Sequence, residues 1–100
     1  TSFLATVITS SKENYHKIVP ALKKVKGGKA GANCLGIHLE GPFLNPKQRG
    51  AHREEWMEFP EAHAFEKFYG TLKDVVLITL SPELPGAIRA IRQLSRSGIR

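Results

Sequence analysis

The residue types able to do chemistry gather in one stretch. Leu35-Gly36-Ile37-His38-Leu39-Glu40 reads as a strand, Gly41-Pro42-Phe43 ends it, and Arg49-Gly50-Ala51-His52 follows. Side chains alternate across a strand, so His38 and Glu40 face one way and Leu39 the other. Gly41 permits an unusual backbone angle and Pro42 stiffens the exit, so Glu40 is the last strand residue. A carboxylate at the C-terminal end of a parallel strand stands where barrel enzymes keep their reacting groups. Out of water it needs a cation, a metal ion or hydrogen-bond donors. Each residue also has a plainer reading. A lone Glu at a strand end is commonly solvated or salt-bridged. His38 reads as a hydrogen-bonded core histidine. His52, beside Arg53-Glu54-Glu55, reads on spacing alone as an exposed loop residue.

Three apolar runs could carry such a site: Phe3 to Thr9, Cys34 to Glu40, and Val75 to Leu80. Each is short, continuous and rich in branched residues, as parallel strands buried on both faces are. Helical patterns lie between them. Ser10 and Glu13 have capping-box spacing and would open a helix through Tyr15, Ile18, Leu22 and Val25, with a kink or break at Pro20. A second helix is expected from Ala62 to Tyr69, stopped by Gly70. A third is expected from about Pro85 to Ser97, with Gly98 as cap. Ala87, Ile88, Ala90, Ile91 and Leu94 would form its buried face, and Arg89, Arg92 and Arg96 a solvated one. Ile99-Arg100 reads as the start of a fourth strand. His16 and His63 read as surface residues on helices.

Strands alternating with helices predict an α/β unit with a parallel sheet. Three such strands with helices on one side leave the other sheet face bare. A (β/α)8 barrel takes ~250 residues, so 100 residues are expected to be a piece of something larger. The absence of Met at position 1 adds the expectation that the natural start lies upstream.

Composition sets few limits. Hydrophobic residues are 41% and charged residues 24%, ordinary for a globular chain. No apolar run nears the ~18 residues of a membrane span, and no membrane partner is expected. Cys34 is the only cysteine, which excludes an internal disulfide and suits a reducing, cytoplasmic setting. Its apolar neighbours make it a packed core thiol. The net charge of +6 could favour an anionic partner. The densest cluster, Lys23, Lys24, Lys26 and Lys29, falls at a helix end, where the helix dipole favours cations. No aromatic is interleaved with it, so no nucleic-acid partner is expected.

The motif His38-Leu39-Glu40-Gly41-Pro42-Phe43 with Arg49-Gly50-Ala51-His52 closely resembles the signature of N-acetylglucosamine-6-phosphate deacetylases. Thr1-Ser2-Phe3-Leu4 and Thr79-Leu80-Ser81-Pro82-Glu83 match as well, so the resemblance spans nearly the whole chain. It implies an amidohydrolase (β/α)8 barrel, of which residues 1–100 would be a part covering roughly strands 2–4. It implies Glu40 as ligand of a divalent metal of zinc, iron or cobalt type, and Ala51 and His52 as contacts to an amino-sugar phosphate substrate. The implied reaction gives glucosamine 6-phosphate and acetate. The catalytic Asp and two His ligands of such enzymes would lie on later strands, so no catalytic residue is expected here and the isolated chain should be inactive. The remainder of the barrel is an expected partner, and a homodimer is a further expectation. Ser81 stands where many members have Ala. The competing readings are a related dihydroorotase-like or deaminase-like hydrolase, a non-catalytic phosphosugar-binding or assembly module made by truncation, and a basic interaction domain acting through Lys23 to Lys29.

Overall fold

A computed structural model describes residues 1–27, 31–61 and 63–100. Strand β1 (Ser2–Ile8), helix α1 (Lys12–Lys23), β2 (Asn33–Glu40), α2 (Ala64–Tyr69), β3 (Val75–Thr79) and α3 (Ala87–Arg96) follow in order. The link from β2 to α2 holds two single 3-10 turns, Pro46–Gln48 and Glu54–Trp56. The three strands pair in parallel in the order β1-β2-β3. Ile8 pairs with Glu40 and Glu40 with Thr79, so the C-terminal strand ends are level. The segments that leave all three strands therefore start from one edge. Beyond β3, Ile78 N–H donates to the Arg100 carbonyl (2.7 Å) and Arg100 N–H to the Val76 carbonyl (3.1 Å). Arg100 thus pairs beside β3, as expected of a fourth strand.

The helices cover one sheet face. Val7, Ile37, Leu39 and Ile78 point into a core closed by Tyr15, Val19, Phe43, Phe65, Tyr69, Ala90 and Leu94. Burial of apolar area drives this layer at roughly 25 cal/mol per Å². Edge-to-face aromatic pairs add to it, Tyr15–Tyr69 at 4.7 Å between centroids, while Phe43 and Phe65 meet tilted at 4.5 Å. Each such pair adds about 0.5–1.5 kcal/mol beyond area. The opposite face shows Thr6 and Ile8 exposed and His38 and Glu40 half-buried. Its bareness is what the sequence predicts for one helical layer. Cys34 is buried and free, as expected.

Several local expectations are corrected. The α1 cap is Ser11, not Ser10: the Ser11 hydroxyl accepts from Asn14 N–H at 3.3 Å, and Ser10 instead accepts from the Asn14 side-chain amide at 3.0 Å. Pro20 does not break α1 into two. Pro20 and His16 are both exposed, so water can satisfy the carbonyl that the missing N–H leaves free. The buried α1 residues are Tyr15 and Val19, with Leu22 packed against the core, whereas Ile18 and Val25 are exposed. In α3, Ala87, Ala90 and Leu94 are buried, while Ile88 and Ile91 lie toward solvent with Arg89, Arg92 and Arg96. The α2 helix starts at Ala64, after His63 in a left-handed conformation at its N-cap. Ala62, its expected start, lies outside the described residues.

Candidate functional site

Phe43 fixes the base of the site. It is fully buried against Phe65 and Tyr69, so the chain leaving β2 is anchored three residues beyond Glu40. Gly41, at φ 82°, turns the chain there and donates its N–H to the Thr79 carbonyl at 3.1 Å. Its own carbonyl accepts from the Tyr69 hydroxyl. Burial pushes the Tyr69 phenol well above its ordinary value, so it stays protonated and able to donate. Burial pushes Tyr15 up to about 12, and its hydroxyl donates to the Ile8 carbonyl while accepting from Ser10 N–H. Two phenols thus hold the ends of β1 and β2 from beneath.

The loop after Phe43 is held from β3. Ser81 N–H donates to the Phe43 carbonyl and the Ser81 hydroxyl accepts from Asn45 N–H, each at 2.8 Å. An Ala at this position would lack the second bond. The Asn45 side-chain amide donates to Glu83 (3.0 Å) and holds that carboxyl below its ordinary value. Further on, Arg49 Nη1 donates to the His52 carbonyl at 3.0 Å, and His52 N–H donates to the Arg49 carbonyl at 3.1 Å. This double clasp brings the His52 ring back over the strand ends.

His52 and Glu40 meet there. His52 Nε2 lies 3.5 Å from Glu40 Oε1, with side-chain exposures of 13% and 38%. The imidazole is therefore not the free loop residue that spacing alone suggests. Its Nδ1 is 2.7 Å from the Thr9 hydroxyl. Ala51 sits on the same loop and is exposed. His38 is hydrogen-bonded, as read: Nδ1 lies 3.0 Å from Thr6 Oγ1 on β1 and Nε2 2.9 Å from Thr79 Oγ1 on β3. It ties three strands together one turn of the pleat below Glu40, although it is half-buried on the open face rather than in the core.

A strand-end carboxylate with an imidazole nitrogen in front of it is a donor set that a divalent ion accepts. The set is incomplete: among the described residues no group of three or more His, Cys, Asp or Glu comes together. Glu40 can therefore be one ligand of a metal site whose other ligands come from elsewhere. Of the lysine cluster, Lys26 is paired with Asp74 at 2.9 Å, which holds that carboxyl below its ordinary value, and Lys23 occupies the last turn of α1. Lys29 lies outside the described residues. Among the described residues no helix is long and apolar enough to cross a membrane. Thr9, Tyr69 and Asn45 escaped the sequence reading. Thr9 follows Ile8, the register partner of Glu40, and only that pairing brings it to the site.

Comparison with known proteins bears on this parallel α/β layer and its strand-end carboxylate. No family model matches the chain. It is 45% identical over 103 residues to N-acetylglucosamine-6-phosphate deacetylase of Mus musculus and 46% over 102 residues to that of Homo sapiens. The Bacillus subtilis deacetylase is 36% identical over 104 residues. These matches take in 99–100% of the chain and 25–26% of each relative, so the chain spans about a quarter of the length of the curated relatives it matches. Among solved structures, N-acetyl-D-glucosamine-6-phosphate deacetylase of Mycobacterium smegmatis superposes with a TM-score of 0.84 at 32% identity, and the Pasteurella multocida enzyme with 0.79 at 30%. Each covers 99% of this chain and uses 26% of its own. A mutant of the M. smegmatis protein in complex with N-acetyl-D-glucosamine-6-phosphate superposes with a TM-score of 0.81. Over its whole length the chain is similar to one part of N-acetylglucosamine-6-phosphate deacetylases, and the resemblance carried by its motifs extends from end to end.

Proposed function

We propose that these residues form the carboxylate-bearing part of an enzyme that hydrolyses the N-acetyl group of N-acetylglucosamine 6-phosphate, giving glucosamine 6-phosphate and acetate. The observation that supports this most is the meeting of Glu40 and His52 at level strand ends. It occurs within a chain 45% identical to a deacetylase over its full length. The three parallel strands would be roughly strands 2–4 of a (β/α)8 barrel, with the bare sheet face turned to the barrel interior.

Glu40 would hold a divalent ion of zinc, iron or cobalt type through its carboxylate. Such an ion, when bound, lowers the pKa of water and polarises an amide carbonyl. His52 would direct Nε2 toward a sugar oxygen and hold it by a hydrogen bond, with Ala51 leaving room beside it. Tyr69, Ser81 and Arg49 keep the loop in the shape that this requires. The general base that takes the proton of the attacking water, and later returns it to the leaving amine, lies outside residues 1–100. A cytoplasmic homodimer completes the reading. The test is acetate release from N-acetylglucosamine 6-phosphate by the complete polypeptide that carries these residues. Activity that disappears in Glu40→Gln is expected. Binding of the phosphosugar with no hydrolysis would replace the enzyme by a binding module.

A further inference from the structure

We infer that Thr9 is the positioning residue for His52. Its hydroxyl holds Nδ1 of the ring, so that Nε2 is the nitrogen presented to Glu40 and to the space in front of it. The inference rests on the deacetylase reading for its kinetic consequence, but not for its geometry.

An imidazole on a loop can turn about two side-chain torsions, and its two nitrogens are chemically distinct. Which nitrogen faces a site is set by what the other one bonds. Here Nδ1 is 2.7 Å from Thr9 Oγ1, a short and strong contact. Thr9 is itself only 3% exposed. Its hydroxyl lies 3.3 Å from the Glu40 carbonyl, to which it can donate, so it is referenced to the backbone of the residue that carries the carboxylate. Ring, hydroxyl and Glu40 backbone form one linked unit, and the 3.5 Å spacing from Nε2 to Oε1 follows from it. Gly41 makes the space: a Cβ there would run into Thr9 Oγ1. Thr9 bonds the Glu40 backbone and the His52 ring and acts on the site through His52. A group misplaced by about 1 Å can cost 10²-fold in rate, so holding the ring has functional weight.

Two variants test this in the complete, zinc-loaded polypeptide. Thr9→Val keeps the shape and removes the hydroxyl, and Thr9→Ser keeps the hydroxyl and removes the methyl. In Thr9→Val we expect kcat/KM for acetate release to fall about tenfold, mostly through KM, as loss of a substrate-binding contact should. In Thr9→Ser it should stay within about twofold of the parent. Nitrogen NMR of the His52 ring supplies a readout without turnover. The parent and Thr9→Ser should show a hydrogen-bonded Nδ1 in one fixed tautomer, and Thr9→Val a mixture. A parent spectrum with a free Nδ1 overturns the inference even if Thr9→Val fails to fold, and so does a serine variant as impaired as the valine one. A parent that releases no acetate while the ring signals behave as expected defeats the deacetylase reading and leaves the positioning role standing.

Discussion

Replacing Gly41 by Ala should damage stability and site together, and its cost can be worked from the backbone. Gly41 sits at φ 82°, where an L side chain is strained by about 1–2 kcal/mol. The new methyl would also strike Thr9 Oγ1 and lie 3.3 Å from Thr9 Cβ and Leu44 Cδ1. Thr9 is buried, so its hydroxyl cannot swing into water to yield. Overpacking of this kind adds about 1–3 kcal/mol. The sum is about 2–5 kcal/mol. Gly98→Ala is the control, because Gly98 has φ 80° with nothing within 4 Å of a new Cβ, and it should show only the backbone part. Denaturant unfolding of the complete polypeptide followed by circular dichroism compares the two. Gly41→Ala should lose more stability than Gly98→Ala and lose kcat/KM as well, because Thr9 is pushed off His52. Equal losses in the two variants would refute the steric reasoning.

Three further outcomes are expected. His38→Ala removes bonds to Thr6 and Thr79 and should cost about 1–2 kcal/mol in the same unfolding assay, with His38→Gln recovering part of it through the Thr79 arm. Stability should also fall on alkaline titration: burial raises the folded value of Tyr15 to about 12, above its unfolded value of about 10, so its contribution is complete below about 10 and is lost as pH rises toward about 12, and Tyr69, raised well above its ordinary value by burial, acts in the same direction. Tyr15→Phe should flatten that decline, and an unchanged slope would count against the assignment. The isolated 100-residue chain should bind zinc weakly and release no acetate, since a catalytic zinc takes about three protein ligands and no cluster of three candidate ligands forms among the described residues.

The strands were legible because continuous branched runs such as Val75 to Thr79 and Cys34 to Glu40 need no partner to be recognised, although the expectation that they are buried on both faces does not hold here, where one sheet face is bare. Glu40 was legible because Gly41-Pro42 marks the strand end immediately after it. The helix details were less so. Two serines in a row leave the cap of α1 ambiguous by one residue, and the choice of Ser11 follows from where Asn14 N–H falls. Ile88 and Ile91 look like core residues in an apolar pattern, yet Ala87, Ala90 and Leu94, spaced three and four apart, take the core face, and Ile88 and Ile91 stand one position round the helix, toward solvent. Thr9 was out of reach because it joins the site only through strand register: 43 residues separate it from His52, and nothing local signals the contact. The role of Ser81 likewise needs the β3 end to stand beside the β2 loop, which the parallel pairing supplies.

The most direct test of the site is metal analysis of the complete polypeptide with and without the Glu40 carboxylate. The parent, purified and dialysed with zinc, should retain stoichiometric metal. Glu40→Gln, with its far-ultraviolet circular dichroism unchanged, should retain little and release no acetate. A folded Glu40→Gln variant that keeps its full metal content would contradict the assignment of Glu40 as a ligand.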